Sequence, residues 1–367
     1  MGSGLVIGGR DPAAPVDALG LGARRRRTAL WLAALIVGLV ATVIAGVGFG
    51  AVGINPATVA RIIGHHLVGW PGEATWDLAQ DAIVWDVRLP RVLLGALVGA
   101  GLAVCGVALQ AMVRNVLADP YLLGVNSGAS SGAAAAILFG FGAGFGEHAL
   151  PLSAFLGALA ASFLVFFLAR SGGRVTSLRL LLAGVAVGYA LYAATSFLIF
   201  ASGSAEGARS VMFWLLGSLG LAQWDAPLTV VAVVIMVTTF LLTIWGRQMD
   251  SLAIGDETAH TLGISPERFR VRLLVLVALT IGVLVSAAGS IGFVGLVVPH
   301  VARRLVGATH VRVVPVAALL GAILLIWADV IARVLLEPQE IPIGIITSLL
   351  GAPFLLVLIR RFHATSA

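Results

Sequence analysis

The chain has 367 residues, 59% of them hydrophobic and only 11% charged, with a mean hydropathy of +1.05. A soluble domain carries about a quarter charged residues, so this is an all-α polytopic membrane protein with little room for a soluble domain. The 23 strongly basic residues are all arginine; without a lysine the chain can form neither a Walker A phosphate loop nor a Schiff base, and it is not a P-loop ATPase.

Residues 1–27 are rich in Gly, Ala and Pro and close on Arg24 to Arg27. They read as a flexible cytoplasmic tail ahead of a single transmembrane domain over 28–367. The apolar run 29–50 is longer than the core of a signal peptide and has no cleavage site after it, so it reads as a retained first helix. Apolar length predicts further spans near 89–113, 121–141, 149–169, 178–201, 227–246, 271–289, 294–306, 313–335 and 342–359. The span at 294–306 is short and glycine-containing and need not cross fully. About ten spans place both termini on one side. With the N-terminus inside, only Arg61, Arg88, Arg91, Arg209 and Arg333 fall on or near the outer face, where Glu73, Asp77, Asp81 and Asp86 also gather. The positive-inside rule therefore selects N-in, C-in. The same scattering of arginines between apolar runs argues against a nucleic-acid partner, despite a pI near 10.8.

Spans two to five start outward-to-inward and spans seven to ten the reverse, the pattern of an inverted repeat. Gly95/Gly99 and Gly184/Gly188 stand at the spacing that lets membrane helices approach closely. The single cysteine, Cys105, lies inside an apolar run, which leaves no disulfide framework and no thiolate metal site. Two loops are distinctive. The outer segment 202–226 carries an amphipathic stretch, 208–216, expected to lie as a short helix at the interface. The inner segment 247–270 is polar, broken at Gly255 and ended by Gly263, with Asp256 and Glu257 suited to a helix N-terminus. It is either a handle for a cytoplasmic partner or an ordinary connecting loop. Charged signatures flank the second span, Arg88-Leu89-Pro90-Arg91 before it and Arg114-Asn115-Val116-Leu117-Ala118-Asp119-Pro120 after it. They face opposite sides of the membrane, where each can meet a different soluble partner.

These residues resemble the permease subunit of the ABC importers that take up iron chelates (siderophores and haem) and vitamin B12. The resemblance runs from about Trp85 to Arg361. It rests on the two signatures together with Gln110, Leu123-Gly124, Leu181-Leu-Ala-Gly184, Trp214 with Gly217, and Gly255 with Ala259 and Leu262-Gly263. Further along, Gly289-Ser-Ile-Gly-Phe-Val-Gly-Leu-Val-Val-Pro-His300 with Arg303, Ala328-Asp329 with Arg333, Pro342-Ile-Gly344 and Gly351-Ala-Pro353 extend it. Val116 departs from the proline usual in the family. The resemblance implies ten helices per subunit of the vitamin B12-importer type, a homodimer in the bacterial inner membrane with one central pathway, a periplasmic binding protein above and two ATPase subunits below. The chain itself would bind no cofactor and catalyse nothing; ATP and Mg2+ would be used by the ATPase.

By the same resemblance, Arg88, Arg91 and Arg333 receive acidic side chains of the binding protein, although headgroup contact is the simpler reading of Arg88 and Arg91. Gly255, Asp256, Glu257, Ala259, Leu262 and Gly263 form the element that couples to the ATPase. Asn115, Leu117, Thr176 and Ser177 narrow the cytoplasmic mouth, with helix capping as the alternative. Asp329 and Arg333, spaced i,i+4, read as an intrahelical pair. His65, His66, His148 and His260 could ligate a haem iron, but loop positions favour exposed or capping roles. An ion-coupled secondary transporter would need a free carboxylate near mid-bilayer, and only Asp329 is available. An intramembrane metallohydrolase of the HExxH type is excluded by the lack of that motif. The stretch Ala118 to Gly124 resembles the haem and corrinoid members more than many siderophore ones; haem is taken as the leading expectation for the transported ligand, with cobalamin and ferric siderophores as alternatives.

Overall fold

The computed structural model describes residues 21–50, 52–119, 121, 124–171 and 174–364. They are helical almost throughout. Besides the turns and loops between helices there is one antiparallel pair, β1 (Arg170–Ser171) with β2 (Arg174–Val175). The first helix, α1 (Leu21–Gly48), starts before the predicted position, so Arg24 to Arg27 form its opening turns. Ala and Arg are strong helix formers, and no Gly or Pro interrupts 23–37. Of the predicted tail, residues 1–20 lie outside the described residues.

After α1 come α2 (Pro56–Val68), capped by the Asn55 side chain, and α3 (Leu78–Ala82). A π-helical turn, Ile83–Arg88, then leads into α4 (Leu89–Val113). The chain continues through α5 (Val125–Phe139), α6 (Ala149–Ala169), α7 (Ser177–Ser202), α8 (Ala205–Leu215) and α9 (Ala226–Ile244). It ends through α10 (Gly246–Ile254), α11 (Asp256–Thr261), α12 (Pro266–Ala288), α13 (Val294–Val306), α14 (His310–Val334) and α15 (Ile343–Ala364). Among the described residues, seven helical segments are long and apolar enough to cross a membrane. The other predicted spans appear as α5, α13 and the apolar part of α15, which are shorter.

A helix that is apolar all round belongs in a protein interior, and α4 sits there. Its most apolar stretch is 78% buried, against 22% for α1 and for α7. It packs on α14, α12, α13 and α9. Glycines set the closest approaches: a Cβ on Gly99 would overlap the carbonyl of Gly321 on α14, and one on Gly106 would overlap that of Gly295 on α13. Backbones in direct contact gain dispersion energy that intervening side chains would prevent. Gly95, by contrast, meets only the Leu219 side chain.

The helix α5 is shorter than predicted because Tyr121 stands in a turn ahead of it. The Tyr121 hydroxyl donates to the Ile291 carbonyl and accepts from the Ile291 N–H, each at 2.6 Å. Ile291 lies in the turn before α13, so the starts of the two short helices are tied together. Each is the second helix of its predicted four-helix set.

Candidate functional site

The sequence-predicted residues collect at opposite ends of the bundle. At one end, the last turn of α1 leaves carbonyls without intrahelical partners. Two arginines fill that need. Arg88 Nη1 donates to the carbonyls of Val47 (3.0 Å) and Gly48 (3.2 Å), and its Nη2 to that of Val52 (2.7 Å). Arg333 donates to the carbonyls of Phe49 and Gly46, both at 2.8 Å. Positive charge at a helix C-terminus is favourable, so both side chains are buried and pin α1.

Arg91 is the third member. Its Nη1 and Nη2 grip the two oxygens of Glu340 at 3.0 and 2.9 Å, and its Nε donates to Asp329 Oδ1 at 3.0 Å. Arg333 Nε lies 2.9 Å from Asp329 Oδ2 as an ion pair without hydrogen-bond alignment. The expected docking arginines are therefore brought together but turned inward, and the acid that faces outward is Glu340, whose side chain is 53% exposed. An apolar cavity of about 390 Å³ opens beside them, walled by Phe213, Trp214, Leu219 and Ile341 with Arg91, Asp329 and Glu340.

Asp329 thus lies between two guanidiniums, so the one carboxylate considered for an ion-coupled route is already paired. Replacing it leaves the buried Arg333 without a carboxylate and takes from Arg91 one of its two, a change that costs about 3–5 kcal/mol. Asp329→Ala should lower the unfolding midpoint accordingly in detergent denaturation. A midpoint unchanged from the parent would show that the cluster does not hold the fold.

At the other end the polar segment folds as two short helices, α10 and α11, meeting at Gly255. Ala259 is buried against the body while Glu257, Leu262 and Gly263 face outward. Gly263 has φ +75°, a left-handed conformation that ends the turn at little cost only for glycine. Asp256 opens α11 and pairs bidentately with Arg270 of α12, at 3.0 and 2.6 Å. This hydrogen bonding holds the Asp256 carboxyl below the usual carboxylate range. The stabilisation is therefore complete above that range and is lost only as pH falls through the lowered value.

Next to this loop lie the four predicted gate residues. Asn115 Oδ1 accepts from the Leu117 N–H at 2.9 Å, closing the turn after α4. Thr176 caps α7 by accepting from the Arg179 N–H, the capping role weighed for it above. Ser177 Oγ donates to the Met112 carbonyl at 3.2 Å, joining the start of α7 to the end of α4. Gln110 holds the same region by donating to the carbonyls of Ala118 and Gly295 and by accepting from Arg303. Burial pushes the nearby Asp119 carboxyl up to about 6.

Several of these contacts were not anticipated. Asp250 of α10 accepts both the backbone N–H of His310 (2.9 Å) and its Nδ1 (2.6 Å), so α10 caps α14. Glu340 and Arg270 also escaped notice, because their partners lie far away in sequence. Of the histidines, His65 Nδ1 meets the Pro71 carbonyl at 2.7 Å, and His66 meets Asp81 at 3.0 Å while stacking on Trp85.

The chain is similar to known proteins in sequence and in fold. Residues 18–361 match the model of the FecCD transport family. The hemin transport system permease protein HmuU of Yersinia pestis is 43% identical over 293 residues, covering 78% of this chain and 86% of that protein. The cobalamin import system permease protein BtuC of Halobacterium salinarum is 44% identical over 280 residues, covering 76% and 74%. A solved structure of a metal-chelate type ABC transporter in an inward-facing conformation superposes with a TM-score of 0.78 at 33% identity, covering 90% of this chain and 98% of the other.

Proposed function

We propose, from the premise that this chain belongs to the FecCD transport family, that it is the pore subunit of an ATP-driven importer that carries haem into the cell. It works as a homodimer in the bacterial cytoplasmic membrane, with both termini inside. A periplasmic binding protein delivers ligand at the Arg91 end, and two ATPase subunits act at the Arg270 end. The family match across nearly the whole chain carries the reading. Supporting it, Ile254 and Leu262 stand exposed on the α10–α11 loop, apolar side chains outside the spans of the kind that fill a partner's groove. On α7, Tyr189 and Tyr192 are exposed and uncharged, which suits a route that must not trap its cargo.

The relatives at 43% and 44% identity bear the names of haem and cobalamin permeases, and so small a difference does not choose between them. The stretch Ala118 to Gly124 resembles haem and corrinoid members alike; haem is the first reading and cobalamin the second. Retention of haem, cobalamin or ferric siderophores by the cognate binding protein separates them, and retention of cobalamin alone would replace haem.

Docking at the Arg91 end requires a partner carboxylate to take the place of Glu340 on Arg91, and the adjoining cavity leaves room for it. Truncating one member of such a pair costs about 2 kcal/mol or more, so Arg91→Ala should weaken binding of the purified binding protein about thirtyfold. The remaining binding should depend less on salt. Unchanged affinity in Arg91→Ala would remove Arg91 from the docking surface.

A further inference from the structure

Two side chains converge on one backbone oxygen near the end of α4. Ser177 Oγ, at the start of α7, donates to the Met112 carbonyl at 3.2 Å, and Arg270 Nε, in the second turn of α12, donates to it at 3.4 Å. The other two nitrogens of Arg270 hold the carboxylate of Asp256 on the α10–α11 loop, at 3.0 and 2.6 Å. An unbroken chain of hydrogen bonds thus runs from the loop to Ser177. Arg270 is buried, with its side chain 3% exposed, while that of Asp256 is 41% exposed. The buried member therefore has no water to replace a lost partner, and the exposed member stands on the α10–α11 loop. Arg114 offers a second cation to Asp256, but at 3.9 Å and at the surface it is a weak substitute.

We propose that Arg270 is the positioning residue that carries displacement of the α10–α11 loop to Ser177, moving the end of α4 and the start of α7 together. The proposal rests on the reading of that loop as the ATPase-coupling element and of Ser177 as part of the gate. The chemistry of the side chain fits the task. A planar guanidinium can bind a carboxylate through two N–H groups, which fixes orientation as well as distance. Its remaining N–H is then free for the Met112 carbonyl, at a helix C-terminus where a cation is favoured. A lysine keeps the charge but cannot hold both partners in fixed geometry.

The test uses the complete transporter in lipid vesicles, with its ATPase and binding protein, and reads ligand transported per ATP hydrolysed. Arg270→Lys should lower that ratio about fivefold or more, the range of a coupling between sites, while hydrolysis itself continues. Ser177→Ala removes the far link and should lower the ratio as well. The double variant should fall no further than the worse single variant, because both substitutions cut one path. A scaffold role for Arg270 would instead give losses that add, together with a normal ratio in Ser177→Ala, and either result overturns the proposal. If Arg270→Lys does not insert stably, Ser177→Ala decides alone. Leu262→Asp, on the same loop, separates the two levels of inference. A normal ratio there means that the loop is not the coupling element. Uncoupling there, with a normal ratio in Arg270→Lys, rejects only the Arg270 link.

Discussion

Leu262→Asp should reduce ligand uptake to background while the chain remains folded and inserted. Leu262 is 62% exposed at the end of α11, whereas Ala259, one turn earlier, is buried against the body. The loop is thus anchored by one side and presents an apolar residue on the other. In the proposed complex its contribution is mechanical: closure of the ATPase pair would move the helices the loop joins. An unpaired carboxylate forced into an apolar groove costs about 3–5 kcal/mol, which is enough to lose the ATPase contact at ordinary concentrations. Gly255→Pro should act in the same direction by another route, since the Gly255 N–H donates to the Ser251 carbonyl at 3.3 Å and proline has no donor. Vesicle uptake alongside ATP hydrolysis measures both, and normal uptake in the two variants would dismiss the loop as the coupling element.

Ser177→Cys should allow the two subunits of the homodimer to be crosslinked across the pathway, with uptake blocked until a reductant is added. Ser177 begins α7, whose exposed residues include Leu178, Leu182, Tyr189 and Tyr192, with Arg179 the one exposed charge in its first turn. In a dimer built on those residues, the two copies of Ser177 approach each other where the route narrows. A disulfide demands Cα atoms within about 7 Å, so it forms only in a closed gate and holds it closed. Reversal by thiol exchange distinguishes a blocked gate from a damaged one. Crosslinking with full uptake, or no crosslink in any nucleotide state, would move the gate elsewhere.

The helical plan was largely legible because charge marks the edges of apolar runs. α4 over 89–113 and α13 over 294–306 took their predicted bounds, α4 between Arg88 and Arg114 and α13 just before Gly307. α1 began early because its arginines, read as a topological flank, are also good helix formers. α5 was shortened by a hydroxyl at Tyr121 bonded to Ile291, a contact that apolar length cannot reveal. The site shows the same division. The Asp329–Arg333 pair was visible as an i,i+4 spacing, but its third member, Arg91, is 238 positions away from Asp329. The contacts of Arg88 and Arg333 within the chain could not be read from the sequence, because backbone carbonyls at the end of α1 have no side-chain signature. Arg270 was hidden for the same reason, since one of its partners is the Met112 carbonyl.

Uptake of haem by vesicles containing this chain, its ATPase and its binding protein, followed with and without ATP and Mg2+, bears most directly on the proposed role. Haem should accumulate inside only when ATP is hydrolysed, and dissipating proton and sodium gradients should leave the rate unchanged. Accumulation that proceeds without ATP and collapses with an ion gradient would contradict it.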